Sequence, residues 1–120
     1  MGNFDIYRMS KDFKLLAENS MKLRIPQSLH DCCLAGDYLV VFECPIKVDV
    51  CKLLMGSFFY KCIAPDYEFG KTIVFIFDKK NLQLVRKLEL DSPETFWMFH
   101  FTNGYVENNK LFVEYAKYSG

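Results

Sequence analysis

The sequence has few of the features that mark a membrane-spanning, secreted or nucleic-acid-binding chain. No apolar run exceeds 5 residues, the longest being 38–42 and 73–77. A membrane-crossing helix needs about 20, so none is expected. Neither charge sign is in excess: 15 Lys and Arg balance 15 Asp and Glu. A protein that lives on phosphate contacts is basic, so no nucleic-acid partner is expected. Met-Gly-Asn-Phe-Asp at the start carries neither a charged n-region nor an apolar h-region, and no secretory signal is read there. No G-x-S-x-G, P-loop or G-x-G-x-x-G occurs. No C-x-x-C pair exists either, and the intervals between Cys33, Cys44, Cys51 and Cys62 match no zinc-finger pattern.

The 5 cysteines are an odd set, and neighbours Cys32 and Cys33 cannot easily bridge each other. Reduced, structural thiols in a cytoplasmic location are the expectation. At 120 residues, 51% hydrophobic and 25% charged, the chain is globular, with material for one modest core.

The pattern is that of short strands separated by turns. Strands are expected at 4–9, 15–25, 29–34, 38–43, 58–63, 72–78, 82–90, 96–101, 105–106 and 111–118. Pro26 should end the second, because proline donates nothing to a ladder. Gly36, the turn at 79–81 and Glu107-Asn108-Asn109-Lys110 mark tight reversals. Loops are expected at 64–71 and 91–94. Residues 46–55 fit either a strand or a helix turn. Aromatic residues at 17% suit pleated surfaces. The fold class is therefore all-β. Such strands can close as a small sandwich, which would make a non-enzymatic interaction domain. They can equally form two to three four-stranded blades of a β-propeller at about 40–50 residues per blade. Two or three blades cannot close a ring, so that reading makes residues 1–120 a fragment of a larger domain.

Only 2 histidines occur. His30 stands in Leu29-His30-Asp31-Cys32-Cys33-Leu34, and His100 stands among Trp97, Phe99 and Phe101. Each reads either as a neutral core imidazole or as a metal ligand. Zinc, copper and iron all accept such nitrogen. Asp31 directly follows His30, so in a strand the two side chains point to opposite faces. Asp31 is therefore a poor ligand for an ion held by His30, and backbone or turn hydrogen bonding is its expected role. A nucleophilic pair of Cys32 or Cys33 with His100 has no local signature. The apolar stretch 53–60 reads as core, with a membrane-surface patch or a channel wall as alternatives.

These two histidine segments resemble the carotenoid cleavage oxygenases. That family carries H-D-F-x-x-T-x-N-Y followed by an apolar strand, matched here by His30-Asp31 through Tyr38 and then Leu39-Val40-Val41-Phe42. It also carries F-H-x-x-N, then Ala or Gly, then an aromatic, matched by Phe99-His100-Phe101-Thr102-Asn103-Gly104-Tyr105. The two histidines are 70 residues apart, close to the family's separation. Cys32 replaces the motif phenylalanine, and Val106 stands where glutamate is frequent.

The resemblance covers roughly 23–118 and implies a seven-bladed propeller with ferrous iron, Fe(2+), on its axis, held by four histidines. His30 and His100 correspond to the second and third of these metal ligands; the first and fourth have no counterpart. The implied activity is oxidative cleavage of a carbon–carbon double bond in a carotenoid or apocarotenoid polyene by dioxygen. With half the ligands, the chain is expected to be inactive alone, and no catalytic residue is assigned. Phe96, Trp97, Phe99 and Phe101 are candidate walls for an apolar substrate tunnel. Peripheral contact with a membrane is a further expectation.

Overall fold

The computed structural model describes residues 2–24, 29–91 and 95–118. The predicted stop at Pro26 and most of the 91–94 loop lie outside these residues. Among the described residues there are ten strands and two short helices. The strands are β1 (Gly2–Met9), β2 (Leu15–Leu23), β3 (Cys33–Ala35), β4 (Tyr38–Glu43), β5 (Ile46–Val48), β6 (Ile63–Pro65), β7 (Ile73–Asp78), β8 (Leu84–Glu89), β9 (Phe101–Glu107) and β10 (Lys110–Tyr115). Helices α1 (Val50–Leu54) and α2 (Phe59–Cys62) lie between β5 and β6.

The centre is a four-stranded antiparallel sheet in the order β3-β4-β7-β8. Its two central strands are the two five-residue apolar runs of the sequence. A continuous apolar run suits a strand covered on both faces, and alternation sends successive side chains to opposite sides. Val40, Phe42 and Val74 enter one cluster with Phe96, Trp97, Phe101 and Val113 from the β9–β10 side. Val41, Ile73, Phe75 and Phe77 enter another with Phe4, Ile6 and Met21 from the β1–β2 hairpin. The central blade is thus held between two hairpins, one on each face. Fully burying a side chain such as Phe75 or Val40 is worth roughly 1.5–3 kcal/mol, which makes these two strands the main source of cohesion.

Among the described residues no closed sandwich forms. The chain makes one four-stranded blade flanked by hairpins, the arrangement of two to three blades of a seven-bladed β-propeller and a fragment of that larger domain. The outer edge strand β8 carries Arg86 and Lys87 and is mostly exposed, as an edge that must resist further strand pairing should be.

Several local expectations change. The strand expected at 29–34 shrinks to Cys33–Ala35, because residues ahead of Cys33 turn away from β4 toward the start of β9. The strand expected at 96–101 reduces to one bridge, Trp97 with Tyr118, before β9 begins. The ambiguous 46–55 divides into β5 and then α1, where the Asp49 carboxylate caps the helix by accepting the Lys52 N–H at 3.0 Å. Residues 59–62 are helical instead of extended. Their neighbours β5 and β6 pair over only three positions, leaving 49–62 an excursion with no strand to join. The stretch 53–60 is not core: Leu54, Met55 and Phe58 are 82%, 85% and 70% exposed.

The turn signals hold. β9 and β10 join through Asn108 and Asn109, both at positive φ (50° and 61°). That is the backbone of the two-residue hairpin turn whose twist suits its strands, and asparagine tolerates it. Buried Glu43 ties the end of β4 to Arg24 after β2, accepting its backbone N–H and, at 3.2 Å, its Nε.

Candidate metal centre

His30 and His100 come together. Each stands just ahead of a strand, β3 for His30 and β9 for His100. These two strands meet although they belong to different sheets. Their approach depends on Gly104. A Cβ there would lie 2.3 Å from Cys33 Sγ, 3.0 Å from Leu34 O and 3.1 Å from Ala35 Cβ. Only a residue without a side chain lets β9 lie this close to β3. The imidazole rings meet edge to face, with centroids 4.9 Å apart and planes at 88°.

The backbone around His100 is fixed from two sides. Its carbonyl accepts the Ala116 N–H at 3.2 Å. The next amide, Phe101 N–H, donates to Asp31 Oδ2 at 2.8 Å, and Asp31 Oδ1 accepts its neighbour's Cys32 N–H at 2.8 Å. Backbone or turn hydrogen bonding is the role the sequence suggests for Asp31, and its partner lies 70 residues away, which spacing alone does not reveal. His100 keeps a solvent-accessible ring, 64% exposed by side chain. His30 lies against Phe99, with centroids 5.1 Å apart.

The four aromatic candidates divide. Phe96 and Trp97 are buried in the core, with Trp97 stacked on Tyr118 at 4.6 Å. Phe101 packs edge-on against Phe42 at 4.9 Å. Only Phe99 reaches His30. His30 also lines an open cleft of about 410 Å³ together with Phe4, Asp5, Ile6, Leu29, Asp31, Cys32 and Val41.

The thiols nearby are not set up as nucleophiles. Burial first, and then the charge of Asp31, push both Cys32 and Cys33 thiols up, the reverse of what activates a thiolate. Cys33 Sγ points instead to Asn103 O at 3.6 Å.

The rings are near enough for one ion to reach both: bonds of about 2.1 Å need the two nitrogens within about 4.2 Å, which ring centroids 4.9 Å apart allow. The donor set is neutral nitrogen, which borderline divalent metals accept. Among the described residues, no group of three or more His, Cys, Asp or Glu side chains could hold a metal, so the pair is at most part of a ligand set.

Comparison with known proteins bears on the same residues. The family model described as retinal pigment epithelial membrane protein matches residues 2–120. The chain belongs to this family, the carotenoid cleavage oxygenases. Among solved structures it is similar to cobalt-substituted Synechocystis ACO, with a TM-score of 0.71 at 14% identity. That match covers 98% of this chain but 24% of the other, so the chain spans about a quarter of that protein's length. No curated protein sequence matches. His30 precedes the first strand of the four-stranded sheet and His100 precedes β9, so that sheet and the β5–β6 excursion lie between them in the chain.

Proposed function

We propose that this chain supplies two ligands, His30 and His100, to a non-haem iron(II) centre in an oxygenase that cleaves a carbon–carbon double bond of a carotenoid or apocarotenoid. The observation that carries this reading is the edge-to-face meeting of the two rings ahead of β3 and β9. Divalent iron, when bound, supplies the dioxygen activation such cleavage needs. The chain's own part is to hold and orient. Phe99 braces the His30 ring and excludes water from one side. Phe4, Ile6, Leu29 and Val41 offer the apolar surface along which a polyene lies. With two imidazoles alone the ion is held weakly, and the isolated chain is inactive.

We also read the chain as making peripheral contact with a membrane. Among the described residues no helix is long and apolar enough to cross one. We place the chain in the cytoplasm, where its five free thiols stay reduced. The exposed Leu54, Met55, Phe58 and Phe59 at the junction of α1 and α2, bordered in sequence by Lys52 and Lys61, are the surface for peripheral membrane contact.

The test is Co(II) or anaerobic Fe(II) titration of the chain. One ion should bind, and His30→Ala and His100→Ala should each abolish binding while the fold persists by circular dichroism. Unchanged affinity in either variant refutes the ligand assignment. Flotation with vesicles tests the membrane contact: Leu54→Asp with Phe58→Asp should release a chain that floats with them.

A further inference from the structure

We infer that copies of this chain join head to tail, β10 of one pairing with β1 of the next to complete a four-stranded blade between them. The inference stands apart from the metal reading and starts from a repeat in the backbone. Hairpin β1–β2 repeats the geometry of β7–β8, the outer half of the central blade. Each carries a bulge near the end of its first strand, between Arg8 and Met9 and between Ile76 and Phe77. Two residues ahead of each second strand stands a non-glycine at positive φ, Phe13 at 60° and Leu82 at 58°. In each turn one N–H, of Ser10 or of Asp78, donates at 2.9 Å to the carbonyl just before the second strand, that of Lys14 or of Gln83. Hairpin β9–β10 in turn repeats β3–β4, the inner half. Both close on two-residue turns, Glu107 opposite Lys110 and Ala35 opposite Tyr38, and both turns open on a residue at positive φ, Asn108 and Gly36.

The described residues thus hold one whole blade, one spare outer half and one spare inner half. In the whole blade the halves join through β4 and β7, antiparallel, with Leu39 opposite Phe77, Val40 opposite Ile76 and Val41 opposite Phe75. The same register between copies sets Leu111 opposite Met9, Phe112 opposite Arg8 and Val113 opposite Tyr7. The burial pattern points to this join. Phe75 and Phe77 are almost wholly buried, whereas Tyr7 and Met9, which take their places in the repeat, are 57% and 54% exposed. Phe4 and Ile6 already face the chain's own central blade, so Tyr7 and Met9 face away from it. Joined, they lie beside Val113 and Leu111 of the second copy, which pack on that copy's central cluster. Among the described residues neither β1 nor β10 has a second neighbouring strand, and an open edge is a template for another strand. The two edges differ, so the contact is head to tail. Propellers close with about four to eight blades, which two to four copies of two blades each supply.

The test is sedimentation equilibrium of the metal-free chain at rising concentration, which should show association beyond the monomer. Tyr7→Asp with Met9→Asp disables the β1 side, and Phe112→Arg sets a like charge against Arg8 and disables the β10 side. All three positions are exposed, so both variants should keep their circular dichroism and each alone should be monomeric. Mixed, they should form a one-to-one dimer and nothing larger, because one intact β10 edge then meets one intact β1 edge. Hydrogen exchange of the unaltered chain should slow in β1 and β10 as concentration rises. A monomer at every concentration overturns the inference, whether or not any variant folds, and leaves the two half-blades to segments of a longer polypeptide. A mixture of folded variants that stays monomeric overturns it as well. So does association that Leu54→Asp with Phe58→Asp disperses, or exchange that slows only outside β1 and β10, since either places the contact elsewhere.

Discussion

Gly104 offers the sharpest test of how the two blades are joined. Its φ is not in the left-handed region, so substitution strains no dihedral, and any effect is steric. In Gly104→Ala the new Cβ would fall 2.3 Å from Cys33 Sγ. Non-bonded heavy atoms are comfortable at about 3.5–4.0 Å, so more than an ångström must open. The thiol can rotate. The Leu34 carbonyl at 3.0 Å and Ala35 Cβ at 3.1 Å cannot, because both belong to the paired β3. Overpacking of this kind costs about 1–3 kcal/mol. With a urea slope of about 2 kcal/mol per molar, the midpoint should fall by about 0.5–1.5 M. The single tryptophan, Trp97, is buried beside β10 and reports unfolding by fluorescence. A double-mutant cycle isolates the contact. Cys33→Ala alone should cost about 1 kcal/mol for the lost buried atom. Combined with Gly104→Ala, the total should fall short of the sum by at least about 0.5 kcal/mol, since the worst clash is gone. A neutral Gly104→Ala, or strictly additive costs, would show that β9 does not rest on β3 as described.

Three further outcomes are expected. Glu43→Ala should destabilise by about 3 kcal/mol in the same urea assay, because Glu43 is fully buried against Arg24. The value sits at the low end for a buried pair, since Arg24 keeps the carbonyls of Phe69 and Lys71; a loss under about 1 kcal/mol would contradict the pairing. At Asn109, with φ of 61°, valine should cost about 1–2 kcal/mol and glycine should cost nothing, which urea midpoints of the two variants check. Asp78 is held below its usual range by the backbone N–H groups of Asn81 and then Lys80. A carboxyl lowered on folding adds stability above its unfolded value of about 3.9 and loses it as pH falls through the lower folded value. The melting advantage of the unaltered chain over Asp78→Asn should therefore be present at pH 6 and gone near pH 2; an advantage unchanged across that range refutes it.

Local signals were enough wherever one strand and one turn decide the outcome. The five-residue apolar runs became the two strands covered on both faces. The strand expected at 4–9 became β1. The paired asparagines gave the β9–β10 turn. Local patterning failed where the partner was remote. Residues 58–63, short and aromatic, read as a strand, yet 59–62 coil into α2 between β5 and β6. Phe96, Trp97 and Phe101 read as possible tunnel walls, yet they fill the space beneath β9 and β10, and only Phe99 reaches a histidine.

Sequence alone thus determined which residues are apolar and where the chain reverses, because each depends on residue type and on spacings within a few positions. Only the tertiary structure decided that β3 and β9 lie against each other through Gly104, that Asp31 spans the same 70 residues as the histidines, and that α1 and α2 stay outside the core. Those outcomes depend on which surfaces meet. That is set by the summed packing of two sheet faces, a quantity no short window of sequence contains.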